Sequence, residues 1–549
     1  MFKIFIRGWK FFTSERLLLF YAFSIFMIFL ARNPFSERTL IPNLEPYPDT
    51  FHYLVPATSF VSGTGFNITR GFGDIKPSVP PLYSIALMPF FLINKDVRMF
   101  YFSNVIMSLA SLYIFYLILK KLTPNRWIIG FGLLIISSNY YIYWYPQWAM
   151  AENLLLPLFL SALYLLLQKV SPKNMLLSSV IATSMYLTKY AAAPISLFYI
   201  FIYIFKILME RNGVRELPKY FFFLSIVGAP ALVFLYTYNN VNHLQSLLGI
   251  ILHVFPGVFN SQQIISEGAK EWISSYFLIN NFPRYFRATL GEPERFLWDF
   301  SPILPRYLSI AGYAGLLLGA CQKRTRLFFL ALIILLFAQM VFISTFYAID
   351  MRYLYNAIPT LILGTTILFI SLSNILTKRK VAKLLPAFII TIALFYLVIN
   401  AQRFKNQIML NLKYYEVPWY YKSVLVLNDF FTKNDFGKDE KPLVISSIPP
   451  FLIDYYSNGK YDILPLSLSQ EFRTNRELVW GPGDYSNLHN LYRDYLKKGR
   501  LLYVSTYGLG NDGGLHTAFD EIKSDFTLTE VYDGCFTQCK IYTLTEDEK

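Results

Sequence analysis

Apolar residues in this chain run in long blocks, not with the period of two or 3.6 that marks half-buried strands and surface helices. A membrane span needs about 20 mainly apolar residues. Eleven blocks approach or reach that length, at residues 17–31, 100–119, 127–144, 152–168, 174–188, 191–208, 220–238, 303–320, 327–346, 353–373 and 382–400. Each predicts a transmembrane helix. Beyond Asn400 the blocks end. Runs at 442–447, 462–467, 501–506, 528–533 and 540–544 read as short strands, and helical patterns near 449–457, 486–498 and 516–526 alternate with them. That alternation predicts a small α/β domain. The chain therefore divides into a mainly α polytopic membrane bundle over residues 1–400, a linker over 401–424 and an α/β domain over 425–549. No internal repeat or low-complexity segment interrupts this plan.

Flanking charges orient the bundle. With the N-terminus in the cytoplasm, the inner segments 1–16, 120–126, 169–173, 206–219, 323–326 and 378–383 hold 20 Lys and Arg against three Glu. The short outer connections at 140–152, 189–191 and 347–352 hold only Lys189 and Arg352. This positive-inside bias, with an odd number of helices, places the α/β domain outside the cell. The long segments 32–99 and 239–302 fall on the same external side. The first helix follows Lys3, Arg7, Lys10 and Arg16 and has no small-residue cleavage site behind it, so it reads as an uncleaved anchor in a plasma membrane.

Composition agrees. The 549 residues are 54% hydrophobic, 18% aromatic and 15% charged, too apolar for a soluble enzyme of this size. The net charge of +15 would suggest nucleic acid in a soluble protein, but the excess lies in the cytoplasmic segments. There it records topology and an attraction to anionic lipid, not a nucleic-acid partner. Of three cysteines, Cys321 lies at a predicted cytoplasmic helix end, and Cys535 and Cys539 flank a turn where a disulfide and two free thiols are both compatible with the sequence. A zinc site would need His or Cys companions that are not nearby. Residues 508–513 (GLGNDG) match a dinucleotide fingerprint in form, but an Asn-Asp-Gly-Gly run is ordinary turn chemistry and reads as a loop.

The chemistry-bearing segment is the first external loop. Asp49, Tyr53 and Ala57 are spaced by four, so a short helix sets them on one face. A carboxylate among aromatic and apolar neighbours at the outer end of a bundle becomes a better base, and small Ala57 would leave room for a substrate. The competing reading of Asp49 is a helix cap after Pro48. His52 beside two aromatics has a structural reading as well as a functional one. Lys76 and the Pro-Pro-Leu-Tyr run at 80–83 can equally open the next helix. Glu152, opening a helix after an uncharged loop, suits either the helix dipole or a substrate. Lys189 and Arg352 suit either headgroups or an anionic ligand.

Taken in order, the Asp-x-x-x-Tyr-x-x-x-Ala spacing, Pro80-Pro81-Leu82-Tyr83, Glu152, Thr188-Lys189, Arg352-Tyr353 and Pro359 resemble the polytopic GT-C glycosyltransferases of the protein mannosyltransferase and aminoarabinose transferase type. The resemblance spans most of residues 17–373. It implies inverting transfer of a hexose or related sugar from a polyprenyl-phosphate carrier to a hydroxyl acceptor on the external face. It implies Asp49 as general base and Lys189 and Arg352 as holders of the carrier phosphate. Glu152, Tyr53, His52, Lys76 and Tyr353 would position substrate. The Trp-Trp-Asp-Tyr-Gly motif and metal-binding carboxylate pair of oligosaccharyltransferases are missing, so the resemblance implies catalysis without metal or other cofactor. Two other classes remain in view. A polyprenyl-linked glycan ligase or polymerase would work on the same face. A transporter or scaffold would place ionisable groups in mid-helix or leave the Asp49 loop unexplained.

Overall fold

A computed structural model describes residues 15–31, 34, 49–68, 77, 79–210, 213–239, 275–294, 302–346, 349–378, 384–412, 419–434, 441–467, 471–474, 477–480, 485–509, 513–535 and 539–546. Every one of the eleven apolar blocks holds a helix. These are α1 (Glu15–Leu30), α4 (Phe100–Leu122), α5 (Arg126–Ser137), α7 (Glu152–Leu166), α8 (Pro172–Thr188), α9 (Ala193–Leu208), α10 (Gly213–Asn239), α12 (Arg306–Cys321), α13 (Arg326–Ile343), α14 (Ala357–Lys378) and α15 (Leu384–Leu412). Among the described residues, six helical stretches are long and apolar enough to cross a membrane, and four apolar helices are shorter. The block at 127–144 is broken in two. Asn139 ends α5 and caps α6 (Tyr140–Trp144), its side chain accepting from Tyr141 and Ile142 N–H while its amide donates to the Ile303 carbonyl at 2.9 Å.

Two helices lie in the long segment 32–99, α2 (Asp49–Val61) and α3 (Leu82–Ile93), and one in the segment 239–302, α11 (Ser275–Thr289). The stretch expected as a linker is largely helical, since α15 runs to Leu412 and α16 (Trp419–Lys433) follows seven residues later.

Contacts divide the chain into two compact units. The first comprises Met1–Asn33, Ser78–Phe90 and Met99–Lys413; the second comprises Pro34–Pro77, Phe91–Arg98 and Tyr414–Lys549. The first unit is the helical bundle, with a continuous apolar core through α1, α4, α5, α7, α9, α13 and α14. Its tightest packing is between α12 and α14. A Cβ at Gly315 would collide with the Gly364 carbonyl, and one at Gly364 with the Gly312 carbonyl. Small residues here let two backbones touch, a common device where lipid supplies no hydrophobic drive between helices.

The second unit holds the α/β domain. Strands β1 (Leu443–Ser446), β2 (Asp462–Pro465), β5 (Leu502–Ser505), β6 (Phe526–Cys535) and β7 (Cys539–Glu546) form one sheet in the order β2-β1-β5-β7-β6. β1 pairs in parallel with β2 and β5, whereas β7 is antiparallel to β5 and β6. Helices α17 (Pro450–Ser457), α18 (Tyr485–Lys497) and α19 (Gly513–Asp525) occupy the connections. Inward residues such as Ile445, Val504, Tyr492 and Ile522 make the core. All five strands and all three helices coincide with the sequence expectation. A separate hairpin of β3 (Glu471–Thr474) and β4 (Glu477–Trp480) was not expected. Cys539 is disulfide-bonded, Cys535 stands opposite it in the strand register, and Cys321 is free. Gly508, at φ +93°, sits in a turn closed by Leu509 N–H on the Thr506 carbonyl, in keeping with a loop at the GLGNDG run, of which residues 510–512 lie outside the described set.

Candidate active site

Four charged side chains gather in the bundle unit, each on an irregular helix end. Glu152 opens α7 and is 2% exposed. Lys189 leaves α8 in extended geometry (φ −157°, ψ 128°), which turns its side chain away from the helix it ends, and its ammonium pairs with the Glu152 carboxylate. Arg352 lies in a 3₁₀ turn, Met351–Leu354, that precedes α14. Asp350 caps that turn, accepting Arg352 N–H at 3.0 Å, and its second oxygen meets Arg352 Nε at 2.8 Å. The Tyr353 ring serves both cations, with Lys189 Nζ 4.7 Å and the Arg352 guanidinium carbon 5.2 Å from its centroid. Cation–π attraction of this kind strengthens as water is removed.

Five further residues hold the arrangement in place. Gln339, a lone amide within the apolar run of α13, donates to the Ala191 carbonyl at 3.1 Å and the Tyr353 carbonyl at 3.2 Å, tying the turn after Lys189 to the turn bearing Arg352. Tyr285 of α11 brackets the Asp350 backbone, its hydroxyl accepting from Asp350 N–H at 3.1 Å and donating to Asp350 C=O at 3.3 Å. Asn153 donates to the carbonyls of Tyr145, Trp148 and Met150, so the loop entering Glu152 has a fixed shape. Tyr83 donates to Asn104 at 2.7 Å, and Asn104 in turn donates to the carbonyls of Pro146 and Trp148 in that loop.

Electrostatically the cluster is two cations and two carboxylates, all nearly buried. Burial pushes the Asp350 carboxyl above its ordinary value, and the neighbouring Arg352 guanidinium opposes that push. The formal sum is zero. Such a site does not concentrate anions by net charge, but it holds two strong anion donors on one aromatic platform, each exchangeable from a carboxylate to a phosphate oxygen.

The fold thus brings Glu152, Lys189, Arg352 and Tyr353 together across 201 positions of chain, which their spacing in the sequence alone does not require. Asp350, Gln339 and Tyr285 were not anticipated. The signal for Gln339 was available, because a single amide inside an 18-residue apolar helix is costly unless it is bonded. Asp49, His52 and Tyr53 lie on α2, in the second unit. Asp49 is the first residue of that helix and half-buried, and His52 and Tyr53 are 1% and 3% exposed. Ala57 is wholly buried, so the space beside its small side chain is filled by packing and not left open. Phe51, wholly buried, lies 6.1 Å from Phe451 and 6.2 Å from Tyr455 between ring centroids, which docks α2 on α17. Lys76 lies outside the described residues. Among the described residues no group of three or more His, Cys, Asp or Glu side chains could hold a metal ion.

The described fold, a polytopic helical bundle and an α/β unit, has counterparts among solved membrane-protein structures. The chain is similar in fold to ArnT, the aminoarabinose transferase, from Cupriavidus metallidurans. The apo structure matches at 12% identity and a TM-score of 0.53, covering 98% of each chain. The same protein bound to undecaprenyl phosphate matches at 11% identity and 0.53, covering 96% of this chain and 97% of that one. The oligosaccharyltransferase of Archaeoglobus fulgidus in its apo form matches at 11% and 0.50, covering 97% of this chain and 74% of that one. At these identities the likeness concerns the fold. No family model matches the sequence, and no curated protein matches it.

Proposed function

We propose that this chain is an integral-membrane glycosyltransferase that moves a hexose or related sugar from a polyprenyl-phosphate carrier to a hydroxyl acceptor, with inversion. The observation that carries the reading is the buried pair of cations, Lys189 and Arg352, on the Tyr353 ring at helix ends of a lipid-embedded bundle. A phosphate attached to a lipid is the anion such a place can take, and a fold relative has been captured with undecaprenyl phosphate bound.

In the proposed reaction the acceptor hydroxyl oxygen attacks the anomeric carbon as its bond to the carrier phosphate breaks. Asp49 takes the hydroxyl proton. The carrier leaves as a phosphate dianion and needs no proton. Its developing charge is met by Lys189 and Arg352, which release Glu152 and Asp350 to do so. An attacking oxygen in line with the leaving phosphate gives inversion at the sugar carbon. Glu152, Tyr353, Tyr53, His52 and Lys76 are assigned to positioning, and the reaction runs without a metal. The N-terminus is assigned to the cytoplasm and the α/β unit to the outside of the plasma membrane, where it orients the acceptor.

Transfer of label from a polyprenyl-phosphate hexose in membranes tests this. Asp49→Asn is expected to lower transfer by about 10²–10⁴-fold, the usual contribution of a general base. Equal transfer by native protein and variant overturns the base assignment. No transfer by native protein from any polyprenyl-phosphate sugar overturns the reading as a whole. A reporter fused after Lys549 should signal from outside the cell.

A further inference from the structure

The proposed chemistry makes no use of a groove in the bundle framed by α1, α5 and α15. Its volume is about 230 Å³ and its walls are apolar, with Leu18, Gly130 and Ile389 contributed by the three helices. Arg126, the first residue of α5, is the one charged group in the lining. The wall on α1 runs from Leu18 to Ile25 and that on α5 from Arg126 to Leu134, each about 10–12 Å at 1.5 Å per residue. That is the length of half an acyl chain, not of a sugar or a peptide side chain.

Two details argue that the groove is kept open and kept positive. A Cβ at Gly130 would sit 3.3 Å from both Leu18 methyl carbons and push Leu18 aside, so glycine keeps this wall of the cleft low. The Arg126 guanidinium lies 5.9 Å from the Trp127 ring, and none of the ion pairs among the described residues involves it. A half-buried arginine with no carboxylate partner among the described residues, beside an indole and at the end of a hydrocarbon cleft, matches the layered chemistry of a phospholipid: phosphate, interface, chain. Arg16, two residues before Leu18 on α1, and Lys120 and Lys121, shortly before Arg126, add charge of the same sign.

We propose that this groove holds one acyl chain of an anionic glycerophospholipid, with the lipid phosphate on Arg126. The site is separate from the residues assigned to catalysis and stands whether or not the glycosyltransferase reading does. Arg126 supplies the preference for anionic headgroups, and the groove supplies retention of the chain. A zwitterionic lipid offers the same phosphate but brings an ammonium group toward the basic end.

The test is native mass spectrometry of the full chain released from nanodiscs of equal phosphatidylglycerol and phosphatidylcholine, comparing native protein with Arg126→Gln and Gly130→Leu. Native protein is expected to retain one phosphatidylglycerol. Arg126→Gln should lose the preference for phosphatidylglycerol about tenfold while still carrying lipid. Gly130→Leu should carry neither at this stoichiometry. Ala393→Phe fills the same cleft from α15 and serves where Gly130→Leu fails to fold. Unchanged phosphatidylglycerol retention in Arg126→Gln, or equal retention of both lipids by native protein, overturns the proposal. So does displacement of the retained lipid by added polyprenyl phosphate, which would make the groove a carrier site.

Discussion

Each unit contains a cluster of ionic side chains, and the two are built differently. In the bundle, Glu152, Lys189, Asp350 and Arg352 are between 2% and 9% exposed, and all four sit at helix ends or turns. In the α/β unit, His489 of α18 meets Asp525 of α19 at 2.7 Å, and Arg493 reaches the same oxygen at 3.3 Å, with the Asp525 side chain 38% exposed. The second cluster ties two helices together beside water, where ion pairs contribute about 0–1 kcal/mol. The first removes four charges from water, at an effective penalty of several kcal/mol for each ion. Apolar residues of similar volume would fill that space more cheaply. Retaining two matched pairs there makes sense where the cations have a second partner, and that contrast is what makes the bundle cluster the candidate site.

The largest effect should come from removing one ion of a buried pair. Lys189→Met leaves Glu152 buried without its partner and is expected to destabilise the bundle by about 3–5 kcal/mol and to abolish transfer. Adding Glu152→Gln should recover much of the stability, seen in thermal melts of the purified protein, and none of the transfer. Recovery of both would place the cluster in the same structural category as His489 and Asp525.

A middle-sized effect is expected at Asp350. Its carboxyl is raised by burial, so it takes up a proton at a higher pH than an ordinary carboxylate near 4. Protonation frees Arg352 for phosphate. Affinity for a polyprenyl phosphodiester, which does not itself titrate in this range, should therefore rise as pH falls through the raised value. Asp350→Asn should bind about tenfold more tightly at neutral pH, with a flatter pH profile and slower release of product. The linked effect on stability has the same sign: the raised carboxyl favours the fold below its unfolded value, and that contribution is lost as pH rises through the folded value. Titrating binding by fluorescence upward from the ordinary carboxylate range to neutral pH separates the two proteins, and parallel profiles would show that Asp350 does not compete with the ligand.

How far the sequence reaches follows from what each feature depends on. Each of the eleven apolar blocks holds a helix because backbone groups in lipid must bond within their own segment, whatever the neighbours. The α3 helix at Leu82–Ile93 is too short to read as a span, and the Pro-Pro-Leu-Tyr run at 80–83 was the signal for its start. The β3–β4 hairpin was missed because two four-residue strands carry too little pattern. Glu152, Lys189 and Arg352 were legible as charges at the ends of apolar blocks. Their pairing was not, since Lys189 could choose Glu152 only after α7 and α8 packed. Asp350 stood beside Arg352 in the sequence, yet its role depends on Tyr285, 65 residues earlier. The grouping of the Asp49 segment with residues 414–549 rests on Phe51 meeting Phe451 and Tyr455, a choice among aromatics that the sequence cannot rank.

The smallest effect sharpens the comparison from the other side. Asp525 is held below the ordinary carboxylate range, chiefly by the hydrogen bond from His489, with Arg493 adding a weaker pull. A depressed carboxyl contributes stability above its unfolded value, near 4, and that contribution is lost as pH falls through the lower folded value. Asp525→Asn should therefore speed amide exchange in α18 and α19 at pH 7, by no more than the roughly fivefold that about 1 kcal/mol allows once solvent screening is counted. Near pH 3 the difference between native protein and variant should shrink. Transfer should be unchanged at every pH, because Asp525 is partly exposed and the pair holds only its own helices. A loss of transfer comparable to that of Lys189→Met would mean that exposure does not separate structural from functional charge in this chain.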